Sequence, residues 1–384
     1  MDFNFDEVVS RKNTNAFKWD ALPPGDVLPM WVADMDFKTA PAITNALSSR
    51  VAHGIFGYTQ TPPQFYSAII NWWQKRHGIT IQQDWIIPVM GVIPGLSAIV
   101  RALTQKGDKV LIQPPVYNHF YITLANCGCE IVENNLIYNG GAYSLDFTDL
   151  EAKASSPDVK LLILSNPHNP AGRVWTKDEL QQVADICLRH NVSVISDEIH
   201  SDLVFGTNTH IPFASLGEEH SQNSITLASP TKTFNLAGVQ VGYLFSQNST
   251  FKKAVNTILV MQEMEMLSPF AIEALIAAYT QGEEWLEALK TYLHDNYLYL
   301  KEFVTQNIPG VIVVPLQGTY LVWLDCGALQ KTSVSLAEEL LQNNNVKVNA
   351  GTMYGAAGEG FIRINIACPR TQLKEGLNRL KAGL

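Results

Sequence analysis

The stretch "SITLASPTKTFN", residues 224–235, places one lysine, Lys232, among small hydroxyl-bearing residues directly after a short apolar run. Ser224 to Ala228 have the β-branched and aliphatic composition of a buried strand, so Lys232 falls on the turn leaving that strand's carboxyl end. In an open α/β sheet that edge is where ligands bind. A lysine on a helix surface would simply be solvated.

Outward from this run, "DKVLIQPP", "VKLLILSNP", "NVSVISDE" and "QVGYLFSQ" repeat the same pattern between about residues 85 and 245, separated by helical stretches. The alternation predicts an α/β fold with a mostly parallel, mixed sheet flanked by helices on both faces. One helix opens at "WTKDEL", where Thr176 is the expected N-cap and Glu179 completes a capping box. Past residue 282, "EEWLEALKTYLHDNYLYLKEFVTQN" reads as one long amphipathic helix leading into a second, smaller α+β domain. A chain of 384 residues exceeds what one core of roughly 250–300 residues accommodates. The expected division is an N-terminal arm over 1–45 that joins the small domain, a large domain over 46–282, and a small C-terminal domain over 283–384. Trp72 and Trp73 read as core, and "ILVMQEMEMLSPF", residues 258–270, as buried helix.

Composition narrows the classes of function. With 46% hydrophobic and 16% charged residues the chain is an ordinary globular protein, and a formal charge of −9 argues against a nucleic-acid partner. The mixed, charged start is neither a signal nor a transit peptide, and no run approaches ~18 apolar residues, so no membrane is expected and the location is read as cytoplasmic. Five cysteines, an odd number lying mostly in apolar patterns, suit reduced buried thiols.

The chemistry collects at strand ends. Tyr117, Asn169, Asp197, Ser229 and Lys232 each follow the carboxyl end of an expected strand. Singly, a strand-end Asp or Asn caps the next helix more often than it binds a ligand; parallel neighbouring strands would bring all of them to one edge. The segment "MGVIPGLSAIVRALT", residues 90–104, adds a helix start with Gly91 at the turn and Pro94 expected at the first helical position, whose free amides attract an anion. With Ser229 it makes a phosphate cup. A lysine, a carboxylate, an aromatic and a phosphate cup are what pyridoxal 5'-phosphate requires. The amine must form a Schiff base, which needs a lysine able to lose its proton. The carboxylate keeps the pyridine nitrogen protonated so that the ring accepts electrons. Asp197 and Lys232 are the residues expected in those roles.

The elements "NPHNPAGR" (166–173), "SDEIHSDL" (196–203), "SPTKTFNLAG" (229–238) and "FIRINIACPR" (361–370), in this order and at these spacings, resemble the fold-type I pyridoxal-phosphate enzymes of the aminotransferase superfamily. "PMWVADMDF" (29–37), "FGYT" (56–59), "GVIPGL" (91–96) and "DEIHSD" (197–202) look most like its MalY/PatB branch of cystathionine β-lyases and cysteine C–S lyases. The resemblance implies that Lys232 bears the cofactor and shuttles the Cα proton, that Asp197 pairs with the ring nitrogen, and that Asn169 lies near the phenolic oxygen. It implies that Tyr117 stacks on the ring, that amides of Val92 and Ile93 with the Ser229 hydroxyl hold the phosphate, and that Arg363 binds the substrate α-carboxylate as a bidentate fork. Tyr58 matches a tyrosine that reaches the neighbouring subunit's cofactor phosphate, which implies a homodimer with shared active sites.

Two positions depart from the common aminotransferase pattern. His200 stands three residues after Asp197 where many have tyrosine, and is expected to hydrogen-bond near the cofactor. Gln240 stands eight residues after Lys232 where many have arginine, which removes a positive charge from the phosphate site. Neither His168 nor His200 has metal-ligand spacing to a second histidine or a cysteine, so no metal is expected.

The implied reaction is β-elimination: a thioether amino acid such as cystathionine yields thiol, pyruvate and ammonia. An aminotransferase is the first alternative, because both reactions begin by removing the Cα proton, and no single residue separates them. The second is a non-catalytic regulatory or interaction protein retaining the fold. The joint presence of Lys232, Asp197, Asn169 and Arg363 counts against it.

Overall fold

In the computed structural model, which describes residues 3–384, Ser224–Ala228 is a strand with every residue buried. Residues 1 and 2 of the expected arm lie outside the described residues. The strands in chain order are β1 (Leu28–Pro29), β2 (Ile86–Val89), β3 (Lys109–Ile112), β4 (Glu130–Glu133), the hairpin β5 (Ile137–Asn139) and β6 (Ala142–Ser144), β7 (Val159–Ser165), β8 (Ser193–Asp197), β9 (Ser224–Ala228), β10 (Gly242–Phe245), β11 (Ile312–Val313), β12 (Leu321–Asp325), β13 (Val346–Lys347), β14 (Asn349–Ala350) and β15 (Phe361–Asn365). Seven of them form one sheet in the order β2-β10-β9-β8-β7-β3-β4. Only β10 runs antiparallel to its neighbours.

The register brings the functional ends together. Ser165 pairs with Asp197, and Asp197 with Leu227, so three parallel strands terminate level with one another. Because β10 is antiparallel to both β9 and β2, the end of β2 that leads into Gly91 lies at this edge too. The helix Val92–Leu103 lies directly on the sheet because Gly95 has no side chain: a Cβ there would sit 2.9 Å from Leu227 Cδ2 and 3.1 Å from Val89 Cγ2. That close contact fixes where the helix begins. Pro94 is its third residue rather than its first, still within the turn whose amides have no intrahelical partner.

A second sheet, β11-β12-β15-β14, is wholly antiparallel, and β1 pairs in parallel with β13, attaching the arm to the C-terminal part of the chain. The long helix Glu283–Asn307 leads into it, burying Leu286, Leu289, Leu293, Leu300 and Val304 at helical spacing. The capping box forms at the helix Lys177–Arg189, with Thr176 and Glu179 bonding reciprocally. Trp72 and Trp73 are buried.

One expectation fails. Residues 258–270 are not one buried helix: Ser249–Met261 ends, 262–268 have no regular helix, and Pro269–Gln281 starts anew with Ser268 as N-cap. Pro269 cannot continue a helix from behind, but fits the first position of the next. Val260, Met261 and Met266 are exposed at 56%, 75% and 52%. Among the described residues no helix is long and apolar enough to cross a membrane.

Candidate active site

A cavity of about 260 Å³ opens at the carboxyl edge of the large sheet, and its walls include Val92, Ile93, Tyr117, Asn169, Asp197, His200, Thr231, Lys232 and Gln240. The level ends of β7, β8 and β9 explain the convergence: Asn169 follows the first, Asp197 ends the second, and Lys232 leaves the third.

The electrostatics follow from burial. Removing Lys232 from water, with the positive Arg363 nearby, lowers its amine from the ordinary 10.5 to about 8, against the opposing pull of Asp34 and Asp197. Its Nζ donates to the Ala33 carbonyl at 2.6 Å. Asp197 is displaced the other way: burial raises its carboxyl to about 7, although the Ile199 amide donates to Oδ1 at 3.2 Å and Lys232 is near. That amide is the carboxylate's only hydrogen-bond partner among the described residues. Burial likewise raises the Tyr117 phenol to about 12 and holds His200 well below its usual range, so its imidazole is neutral.

Arg363 is buried just beyond the cavity wall. Nη1 donates to Asn169 Oδ1 and Nη2 to the Trp31 carbonyl, each at 3.0 Å, while the buried Nε has no partner. The guanidinium lies over the Tyr354 ring, 4.8 Å from its centroid. Asn169 thus links the cavity to the arginine.

Besides Arg363, two expected residues are not in the cavity wall. The Ser229 hydroxyl donates to the Val241 carbonyl at 2.6 Å, lies 2.8 Å from Thr231 Oγ1, and accepts from the Thr231 amide at 3.0 Å. A serine at the start of a tight turn satisfies that turn's backbone first, and Thr231 is the hydroxyl residue of this turn that lines the cavity. Tyr58 is fully exposed on the loop before the helix Pro63–His77 and lies away from this chain's cavity.

Sequence reading placed the arm but missed the contacts its main chain makes in the site. The carbonyl of Ala33 accepts from both Lys232 and the Tyr320 hydroxyl (2.9 Å), and Asn365 donates to the carbonyls of Val32 and Asp34. Asn235, just past Lys232, accepts from the Met35 amide and donates to the carbonyls of Met35 and Phe37. The "WVADMDF" motif marked the segment, but contacts made through carbonyls leave no trace in residue type.

The donor set fits pyridoxal phosphate. A buried carboxylate with one amide partner suits a protonated ring nitrogen, a lysine shifted toward neutrality suits an aldehyde, and unpaired helix amides beside Thr231 suit a phosphate.

Residues 26–380 match the family model "Aminotransferase class I and II". The chain is 41% identical to cystathionine beta-lyase PatB of Bacillus subtilis over 99% of its own length and 100% of that protein's, and 35% identical to protein MalY of Escherichia coli over 98% and 97%. The crystal structure of the PLP-bound C-S lyase from Staphylococcus hominis superposes with a TM-score of 0.92 at 34% identity, covering 100% of this chain and 98% of that one. A match that spans the arm, the cavity residues and both sheets places this chain in the class I and II aminotransferase family, within the branch of PatB and MalY.

Proposed function

We propose that the protein is a pyridoxal-phosphate-dependent carbon–sulfur β-lyase that cleaves cystathionine or a related cysteine S-conjugate to thiol, pyruvate and ammonia. The observation that carries the reading is the convergence of Lys232, shifted to about 8, and Asp197 in one cavity. Elimination rather than transamination is supported by 41% identity to a curated lyase along the whole chain.

When bound, the cofactor supplies an electron sink for the pair released as the Cα proton leaves. The chain's residues do the rest. With the cofactor bound, Asp197 would pair with the ring nitrogen and Tyr117 would cover the ring. Amides of Val92 and Ile93, with Thr231 and with Ser229 bracing it, would receive the phosphate, and Asn169 and the neutral His200 would stand beside the ring. Arg363, fixed by Asn169 and Trp31, receives the substrate carboxylate and so sets which Cα bond faces Lys232. Lys232, as a neutral amine, takes the Cα proton, and the sulfur substituent departs from Cβ as a thiolate.

The fully exposed Tyr58, with Ile55 and Phe56 exposed at 67% and 54%, supports a homodimer in which Tyr58 reaches the neighbour's phosphate site.

The test is incubation with L-cystathionine without any keto acid, assaying pyruvate and free thiol. Equal amounts over many turnovers, abolished in Lys232→Ala, are expected. Activity only when a keto acid is supplied would instead establish an aminotransferase.

A further inference from the structure

Behind the catalytic turn lies a carboxylate to which neither the sequence motif nor the proposed reaction assigns a task. Asp202 is buried, five residues after Asp197, and three donors converge on it. The Trp72 indole donates at 3.1 Å to Oδ1 and 3.2 Å to Oδ2, His77 Nε2 lies 3.1 Å from Oδ1, and the Thr233 hydroxyl donates to Oδ2 at 2.9 Å. Burial alone would raise this carboxyl, but the hydrogen bonds of His77 and the Thr233 hydroxyl and the charge of Arg76 outweigh it and keep the group ionised.

The location of those donors matters. Thr233 is the residue next to Lys232, buried at 1% exposure, on the six-residue turn 230–235, which belongs to no helix or strand. Trp72 and His77 belong to the helix Pro63–His77, which is held in the core by Trp72 stacking on Tyr279 at 4.7 Å and 9° and by Trp73 bonding to the Tyr243 hydroxyl at 2.8 Å. The carboxylate therefore ties the turn that carries Lys232, at the residue next to it, to a rigid helix.

We propose that Asp202 is a positioning residue for the reaction: through Thr233 it fixes the turn that carries Lys232, and so sets where the lysine amine stands relative to the substrate Cα. The inference rests on Lys232 being the cofactor-bearing lysine. Proton transfer is steep in geometry, so a displacement of about 1 Å costs on the order of 100-fold in rate. A helix anchor alone would not need a donor from the Lys232 turn, because Trp72 and His77 already meet both carboxylate oxygens. The link to Thr233 is the part that serves the site.

Thr233→Val keeps the shape and removes the hydroxyl; Thr233→Ser keeps the hydroxyl. Both are to be prepared as holoenzymes and compared with wild type for kcat, KM and the pH titration of the visible absorbance of the lysine-linked cofactor. Expected for Thr233→Val is a kcat lower on the order of 10-fold to 100-fold, KM changed less, and a shifted titration midpoint, all restored by Thr233→Ser. Asp202→Asn is expected to reproduce the Val phenotype; if it does not fold, the Thr233 pair decides alone. Wild-type kcat and titration in Thr233→Val overturn the positioning role. A wild-type protein showing no lysine-linked absorbance removes the reading of Lys232 and the inference with it, whereas absorbance without lyase turnover refutes only the proposed reaction.

Discussion

The Nζ of Lys232 donates a 2.6 Å hydrogen bond to the main-chain carbonyl of Ala33, 199 positions earlier in the chain. The arm is thereby a wall of the site. It is anchored close by: Asp36, almost fully buried, accepts from Lys18 and Arg11 at 2.8 Å, from the Trp19 indole at 2.9 Å and from Gln372 at 3.0 Å.

Asp36→Ala removes the nearer carboxylate from Lys18, itself 1% exposed, and leaves it only Asp34, whose Oδ1 is 3.6 Å away. Loss of one member of such a pair costs about 3–5 kcal/mol, and urea unfolding is expected to register a loss of that order together with reduced lyase activity. The native carboxyl is held below its ordinary 3.8: burial opposes ionisation, but Lys18 and the other donors overcome it. The stability it contributes is therefore present above pH 3.8 and lost as pH falls through the lower native value. Melting curves of wild type below pH 4 should lose this contribution, and those of the variant should not.

Cofactor loading reads the Lys232 amine directly. Only the neutral amine attacks an aldehyde, and in the cofactor-free protein it is neutral above about 8 rather than 10.5. The rate at which the lysine-linked absorbance appears after adding pyridoxal phosphate should rise with pH and level off near that value. An inflection at 10 or above would mean that the site does not desolvate the lysine.

Arg363→Lys replaces a planar fork, already committed to Asn169 and Trp31, by a point charge. KM for the amino-acid substrate is expected to rise on the order of 10-fold to 100-fold, equivalent to about 1.4–2.7 kcal/mol, with a smaller change in kcat. An unchanged KM would remove Arg363 from carboxylate recognition.

Gln240 faces the cavity from a residue at φ +57° and brings no charge to a dianionic phosphate. Gln240→Arg should slow cofactor loss when holoenzyme is dialysed to equilibrium, by several-fold at low salt and less at high salt. Equal loss from both proteins would show that amides and hydroxyls already satisfy the phosphate.

The sequence by itself determined the elements whose causes are local. The strand Ser224–Ala228 follows from an apolar run, the helix start at Thr176 from a capping box, and the helix Glu283–Asn307 from its 3.6-residue spacing. It also determined that Tyr117, Asn169, Asp197 and Lys232 stand at strand ends, because parallel strands deliver their ends to one edge. Tertiary structure decided what the side chains do once there. Thr231 rather than Ser229 reaches the cavity because Ser229 is consumed by its own turn. Residues 262–268 separate two helices because Pro269 begins a new one, and exposed methionines there share the apolar composition of a core. The Ala33 carbonyl and the Asp202–Thr233 bond have no signature in residue type, since a main-chain oxygen is common to every residue and a carboxylate's partners depend on where the chain returns. Short-range periodicity is written in neighbouring residues; a contact across 199 positions is decided only when the whole chain has packed.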